Sequence, residues 1–178
     1  EESYGYLIET FARDKDAVSA VSLMAEAAGW AKDKSLNVIQ MLQDIYVKYG
    51  FSREAGISLV RKGKSGAEEI VAIMKQFRAN PPKQLAGSEV TEVKDYADLT
   101  IKNGAGEVIG KLDFPTTSNV LQFFTADGTK ISVRPSGTEP KIKFYVEVKG
   151  EMKSAADYDN AIAAAEAKIE TIKKDLGI

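Results

Sequence analysis

The chain has no cysteine and no histidine among its 178 residues. Without cysteine it can form neither disulfides nor thiolate metal sites. An excess of one charge is also missing, since 24 Lys and Arg face 26 Asp and Glu for a net charge of -2. No basic stripe is interleaved with aromatics, so nothing argues for nucleic acid as a partner. No apolar run approaches the length that spans a bilayer, and no signal-peptide pattern opens the chain. A cytoplasmic location is therefore the default expectation. What is present, 44% hydrophobic residues, describes an ordinary globular chain long enough for one domain, or one domain plus part of another.

The periodicity places helices over 14–31, with Asp14 as N-cap, and over 35–49, opened by Ser35 and stopped by Gly50. Apolar residues on their repeating faces, Met24 and Trp30 among them, read as core rather than cofactor contacts. A boundary is expected near 50–55, then a strand over 57–61. Ser65 and Glu68 form a capping-box pattern ahead of a helix that turns Ile70, Ile73, Met74 and Phe77 inward and stops before Pro81-Pro82. Capping, rather than anion binding, accounts for that helix start.

Further strands are expected near 90–95, 98–102 and 120–125, with Ala126-Asp127-Gly128 as the turn after the last. Asn103-Gly104-Ala105-Gly106 is glycine-rich, but no helix pattern follows, so it reads as a hairpin turn and not a dinucleotide fingerprint. The closing segment from Ser154 to Leu176 repeats apolar residues at spacings of four and three, as a helix packed on a sheet would. These elements define an α+β class, an antiparallel sheet packed against helices.

The most informative run is Arg134-Pro135-Ser136-Gly137-Thr138-Glu139-Pro140-Lys141, set between two strand-like segments. Arg134 offers a planar fork of donors that fits phosphate oxygens. Ser136 and Thr138 add hydroxyls, and Gly137 lets backbone N–H groups approach an anion. Lys141 and Lys143 add positive potential. The same residues also suit a plain hairpin loop with solvated charges.

This run resembles the phosphate-binding loop of the α-D-phosphohexomutases, the phosphoglucomutase and phosphomannomutase family. Two further segments agree with it. Glu1-Glu2-Ser3-Tyr4-Gly5-Tyr6-Leu7 resembles the family's sugar-binding loop, and Arg13-Asp14-Lys15-Asp16-Ala17 resembles the segment that follows that loop. Tyr6 stands where many members have a histidine, a departure that blurs the substrate choice among glucose, mannose and pentose phosphates.

The resemblance implies a C-terminal fragment. Residues 1–52 would be the helical remnant of the third, α/β, sugar-binding domain, and 53–178 the fourth domain, α+β, carrying the phosphate loop. It implies that Arg134, Ser136, Gly137 and Thr138 hold the substrate phosphate, that Glu1 and Ser3 bind the sugar, and that Lys15 assists near the transferring phosphoryl group. Whole enzymes of the family use Mg²⁺ and a hexose 1,6-bisphosphate activator, and pass through a phosphoserine. The phosphoserine loop carries a histidine and the metal loop a run of aspartates, neither of which is found here, so no residue of this chain is expected to bind the metal or to act as nucleophile. The fragment alone is expected to be inactive and to position a phosphosugar for the missing N-terminal domains. The alternatives are a non-catalytic phosphosugar- or phosphate-binding module, or phosphopentomutase or phosphomannomutase specificity.

Overall fold

The computed structural model describes residues 6–9 and 14–178. Two compact units emerge. One comprises residues up to Phe51 together with Met152–Tyr158, and the other Ser52–Glu151 together with Asp159–Ile178.

The first unit contains helices α1 (Ala17–Asp33) and α2 (Val38–Tyr49). Both start later than expected, because other side chains do the capping. Asp16, not Asp14, accepts the Ser19 N–H at 2.8 Å. Asn37, not Ser35, forms a reciprocal capping box with Gln40, with both bonds at 2.8–2.9 Å. Ser35 instead takes a left-handed backbone with φ 58°. Gly50 ends α2 as expected, with φ 101° and its N–H on the Tyr46 carbonyl. Tyr46 meets Phe51 edge-on at 5.0 Å and stacks on Tyr158 at 6.4 Å. The expectation that these helices turn their large apolar residues into a core is corrected here. In α1 only Ala20 and Ala31 are buried, none in α2, and Met24, Trp30 and Tyr49 are exposed.

The second unit is built on a sheet. Its strands are β1 (Phe51–Val60, whose first residue belongs to the helical unit), β2 (Gln84–Leu85), β3 (Ser88–Asp95), β4 (Thr100–Asn103), β5 (Val108–Lys111), β6 (Leu121–Thr125), β7 (Lys130–Pro135) and β8 (Lys141–Gly150). The order across the sheet is β1-β8-β7-β6-β3-β4-β5, with β2 beside β3. The pairs β3–β4, β3–β6, β4–β5, β6–β7 and β7–β8 are antiparallel. Helices α3 (Gly63–Ala79) and α4 (Tyr158–Leu176) complete the unit, α4 preceded by a short 3-10 turn capped by Ser154 and Asp157. The class is α+β, an antiparallel sheet with four α-helices among the described residues.

One face of the sheet is the core. Alternation places Leu121 and Phe123 of β6, Ile131 and Val133 of β7, and Ile142, Phe144, Val146 and Val148 of β8 on it, all buried. From α3, Ile70 and Met74 are buried, and Phe77 packs against Phe123 and Phe144 at 5.9 and 6.1 Å. From α4, Ala165, Ile169, Ile172 and Leu176 are buried, the stripe expected of a helix on a sheet. Arg78, near the end of α3, donates two hydrogen bonds to buried Asp95 at 2.9 and 3.2 Å and a third to Asn119. This pair pins the helix end to β3.

The expected capping box at Ser65 and Glu68 is absent. The helix begins three residues earlier, at Gly63, with Lys62 in the cap position and no side-chain cap bond. Strand β1 runs ten residues rather than five, and β2 and β5 went unforeseen.

Candidate phosphate site

Arg134 lies one residue before the end of β7, on the face opposite the core. Its neighbours Ile131 and Val133 point into the core, so the alternation turns Arg134 outward, and it is exposed. The β7–β8 register sets Lys143 directly across from it. Lys143 shares that outward face, because Ile142 and Phe144 on either side are buried. Side chains directly opposite in an antiparallel pair stand roughly 5 Å apart at Cβ, and like charges there destabilise the pair. A dianion placed there would be attracted by both charges. Lys143 also lies 5.8 Å from the Tyr145 ring.

The loop between the strands is drawn together by its own polar groups. Ser136 donates its N–H to the Lys141 carbonyl at 2.8 Å, and Lys141 donates to Glu139 at 2.7 Å. The N–H groups of Thr138 and Glu139 converge on the Ser136 hydroxyl oxygen at 3.4 and 3.2 Å, and the Ser136 and Thr138 hydroxyls lie 3.5 Å apart. Two backbone donors aimed at one oxygen, with two hydroxyls beside them, can donate to an anion's oxygen in the same way. A Cβ added at Gly137 would meet nothing within 4 Å, and its φ is not left-handed. The fold itself does not require glycine here; what glycine contributes is an open approach to the loop.

Glu139 sits at the loop's rim. The Lys141 ammonium, 2.6 Å away, holds its carboxyl below the usual range, with Lys143 adding to the effect. Lys141 is therefore neutralised locally.

Glu1, Ser3, Tyr4 and Arg13 lie outside the described residues. Lys15 is exposed ahead of α1, in the helical unit, with its ammonium 3.5 Å from Asp14. Among the described residues no group of three or more His, Cys, Asp or Glu side chains converges where a metal ion could be held. The sequence suggested only general positive potential for Lys143, because its place across from Arg134 depends on register.

An antiparallel sheet with helices packed on its core face defines an α+β domain. The model of the phosphoglucomutase/phosphomannomutase C-terminal domain matches residues 74–165, and the chain belongs to that family. It is 38% identical over 149 residues to phosphoglucomutase from Staphylococcus aureus strain MRSA252, covering 84% of this chain and 27% of that protein. The phosphoglucomutase of strain N315 is 37% identical over the same length. The chain thus spans about a quarter of the length of the curated relatives it matches. A solved structure of the Paramecium exocytosis-sensitive phosphoprotein pp63/parafusin, a phosphoglucomutase in its open form, aligns over 94% of this chain and 29% of its own, with 17% identity and a TM-score of 0.45. Among the described residues no helix is long and apolar enough to cross a membrane.

Proposed function

We propose that this chain is the substrate-positioning part of a phosphohexomutase that interconverts hexose 1-phosphate and hexose 6-phosphate, with phosphoglucomutase the specificity its relatives favour. Residues 1–52 belong, on this reading, to the preceding sugar-binding domain, and 53–178 form the domain that grips the phosphate not undergoing transfer. Glu1 and Ser3 hydrogen-bond sugar hydroxyls, and Lys15 stands near the reacting phosphoryl group. The observation that carries the proposal is the pairing of Arg134 with Lys143 across β7 and β8, beside two N–H groups that converge at the loop.

In the mechanism, Arg134 and Lys143 hold the distal phosphate by charge, and Ser136, Gly137 and Thr138 orient its oxygens. Binding at this remote group fixes the sugar's reacting oxygen elsewhere in the enzyme. Because either phosphate of a bisphosphorylated sugar must fit, the grip reads phosphate and not sugar. Mg²⁺ and the phosphoserine belong to the remainder of the enzyme.

The test is a titration of the chain with glucose 1-phosphate followed by amide NMR. Saturable shifts are expected at Gly137, Thr138 and Glu139. Each charge-assisted bond is worth about 1.5–3 kcal/mol, so Arg134→Ala should weaken binding by about 10- to 100-fold. Shifts confined to other residues, or an Arg134→Ala variant that binds like wild type, would overturn the assignment.

A further inference from the structure

The turn between β4 and β5 holds the chain's one Asn-Gly pair, Asn103-Gly104. Asparagine is among the thermolabile residues, and a following glycine leaves it most open to reaction, because no side chain shields the next nitrogen. That nitrogen can attack the asparagine Cγ. The bond from Cγ to its amide nitrogen breaks, the attacking nitrogen's proton leaves with the amide as ammonia, and a succinimide closes. Water then opens the ring at either carbonyl, giving aspartate or isoaspartate. The chain's Asp-Gly pair, Asp127-Gly128, is disarmed by contrast. Lys168 holds the Asp127 carboxylate at 2.6 Å, and a carboxylate is a poor electrophile.

Glu107 clamps the Asn103 amide at both of its atoms. Its backbone N–H donates to Oδ1 at 3.0 Å, and its carboxylate accepts from Nδ2 at 2.9 Å. Two main-chain bonds close the same turn, from the Asn103 N–H to the Glu107 carbonyl and from the Gly106 N–H to the Asn103 carbonyl, both at 2.9 Å. Yet β5 is a four-residue strand at the edge of the sheet, with Val108 and Ile109 exposed. Short edge elements with few buried contacts are the ones that open locally.

The product of the reaction would not fit the closed turn. Aspartate replaces the Nδ2 donor with an oxygen, so two carboxylates would meet at hydrogen-bond distance with no proton between them. Like charges facing one another across a hairpin destabilise it. Isoaspartate also lengthens the main chain by one carbon just before Gly104, where there is no slack. A Cβ at Gly104 would lie 2.5 Å from the Val90 carbonyl oxygen, and the Lys83 ammonium holds the Gly104 carbonyl at 2.9 Å.

We propose that Asn103-Gly104 is a latent modification site, which deamidates from the open β4–β5 hairpin and whose acidic product keeps that hairpin open. Glu107 is the gate, because Cγ reaches the Gly104 nitrogen only after the amide has left it.

The experiment ages the 178-residue chain in mildly alkaline buffer, folded and in urea, and follows the tryptic peptide Asn103–Lys111 by mass spectrometry and enzymatic isoaspartate methylation. Asn103 should be the first asparagine converted, at least about 10-fold more slowly in the folded chain than in urea. Glu107→Ala removes one clamp bond and should raise the folded rate about fivefold. Glu107 is exposed, and melts check that the variant is folded at the ageing temperature. Asn103→Asp, which carries the product's charge, should speed hydrogen exchange of the β5 amides about fivefold and leave those of α4 unchanged. Earlier conversion of another asparagine would overturn the site. Equal rates folded and unfolded, or a folded Glu107→Ala variant that ages like wild type, would overturn the gate. Exchange in Asn103→Asp that matches wild type would overturn the claim that the product holds the hairpin open.

Discussion

The two units treat amphipathic helices in opposite ways. In the sheet unit α3 packs Phe77 against β6 and β8, and α4 buries Ala165, Ile169, Ile172 and Leu176. In the helical unit Val18 is 80% exposed, Trp30 54% and Tyr49 73%, although apolar residues recur along α1 and α2 as well. Periodicity identifies which side of a helix is apolar; only a neighbouring surface makes that side core.

The largest effect should come from setting a core aromatic against an exposed one. Phe144 is fully buried and packs edge-on against Phe77, so Phe144→Ala should cost about 3–5 kcal/mol. Trp30→Ala, removing a larger ring that water already reaches, should cost less than about 1 kcal/mol. Urea denaturation of both variants measures the difference. Equal losses would break the comparison and place Trp30 in a core after all.

Acid sharpens it at a smaller scale. On the outer face of the sheet Glu147 accepts from Lys130 at 2.6 Å, from Lys149, and from the Ser52 hydroxyl at 3.4 Å. The Lys130 hydrogen bond, then that of Lys149, holds its carboxyl at about 2. A depressed folded pKa means stability present above the usual value near 4.5 and lost as pH falls toward about 2. Both lysines are partly exposed, so after discounting for solvent the contribution at neutral pH is about 1–2 kcal/mol. Glu147→Gln should be less stable than wild type by that amount at pH near 7, and the gap should close near pH 2, in parallel urea titrations. In the helical unit Asp16 is also held low, by the Ser19 hydroxyl and N–H, but it is fully exposed. Asp16→Asn should flatten the acid limb less than Glu147→Gln does.

The sequence revealed the elements that local chemistry determines. Pro81-Pro82 stopped α3, Gly50 stopped α2, and the Ala126-Asp127-Gly128 turn joined β6 to β7. It also singled out the loop at 134–138, because an arginine, two hydroxyl residues and a glycine between strands form a compact anion pattern. What it could not show depended on pairing. That Lys143 faces Arg134 follows from a register in which Pro135 sits across from Ile142, and no single segment encodes that. The two-residue β2 and the bulged β5 are too short for alternation to register. At α3 the familiar Ser65–Glu68 pattern misled, because Gly63, with φ 72°, started the helix first.

Glycines give the finest version of the comparison, because here the two units should differ in sign. Gly104, in the turn between β4 and β5, has the Val90 carbonyl oxygen 2.5 Å from where a Cβ would lie, and its own carbonyl accepts from the Lys83 ammonium at 2.9 Å. Backbone cannot yield there without disturbing β3, so Gly104→Ala should cost about 1–3 kcal/mol. Gly29 lies inside α1, and a Cβ there would meet nothing within 4 Å. Replacing a mid-helix glycine by alanine removes freedom from the unfolded chain without adding a clash, so Gly29→Ala should stabilise by about 0.5–1 kcal/mol. Thermal melts of the two variants read this directly. Destabilisation by Gly29→Ala would mean that the exposed side of α1 is not open at that point, and the contrast drawn from Trp30 would fail with it. A neutral Gly104→Ala would instead show that the β4–β5 turn shifts freely, and that the sheet's rigidity ends at β3.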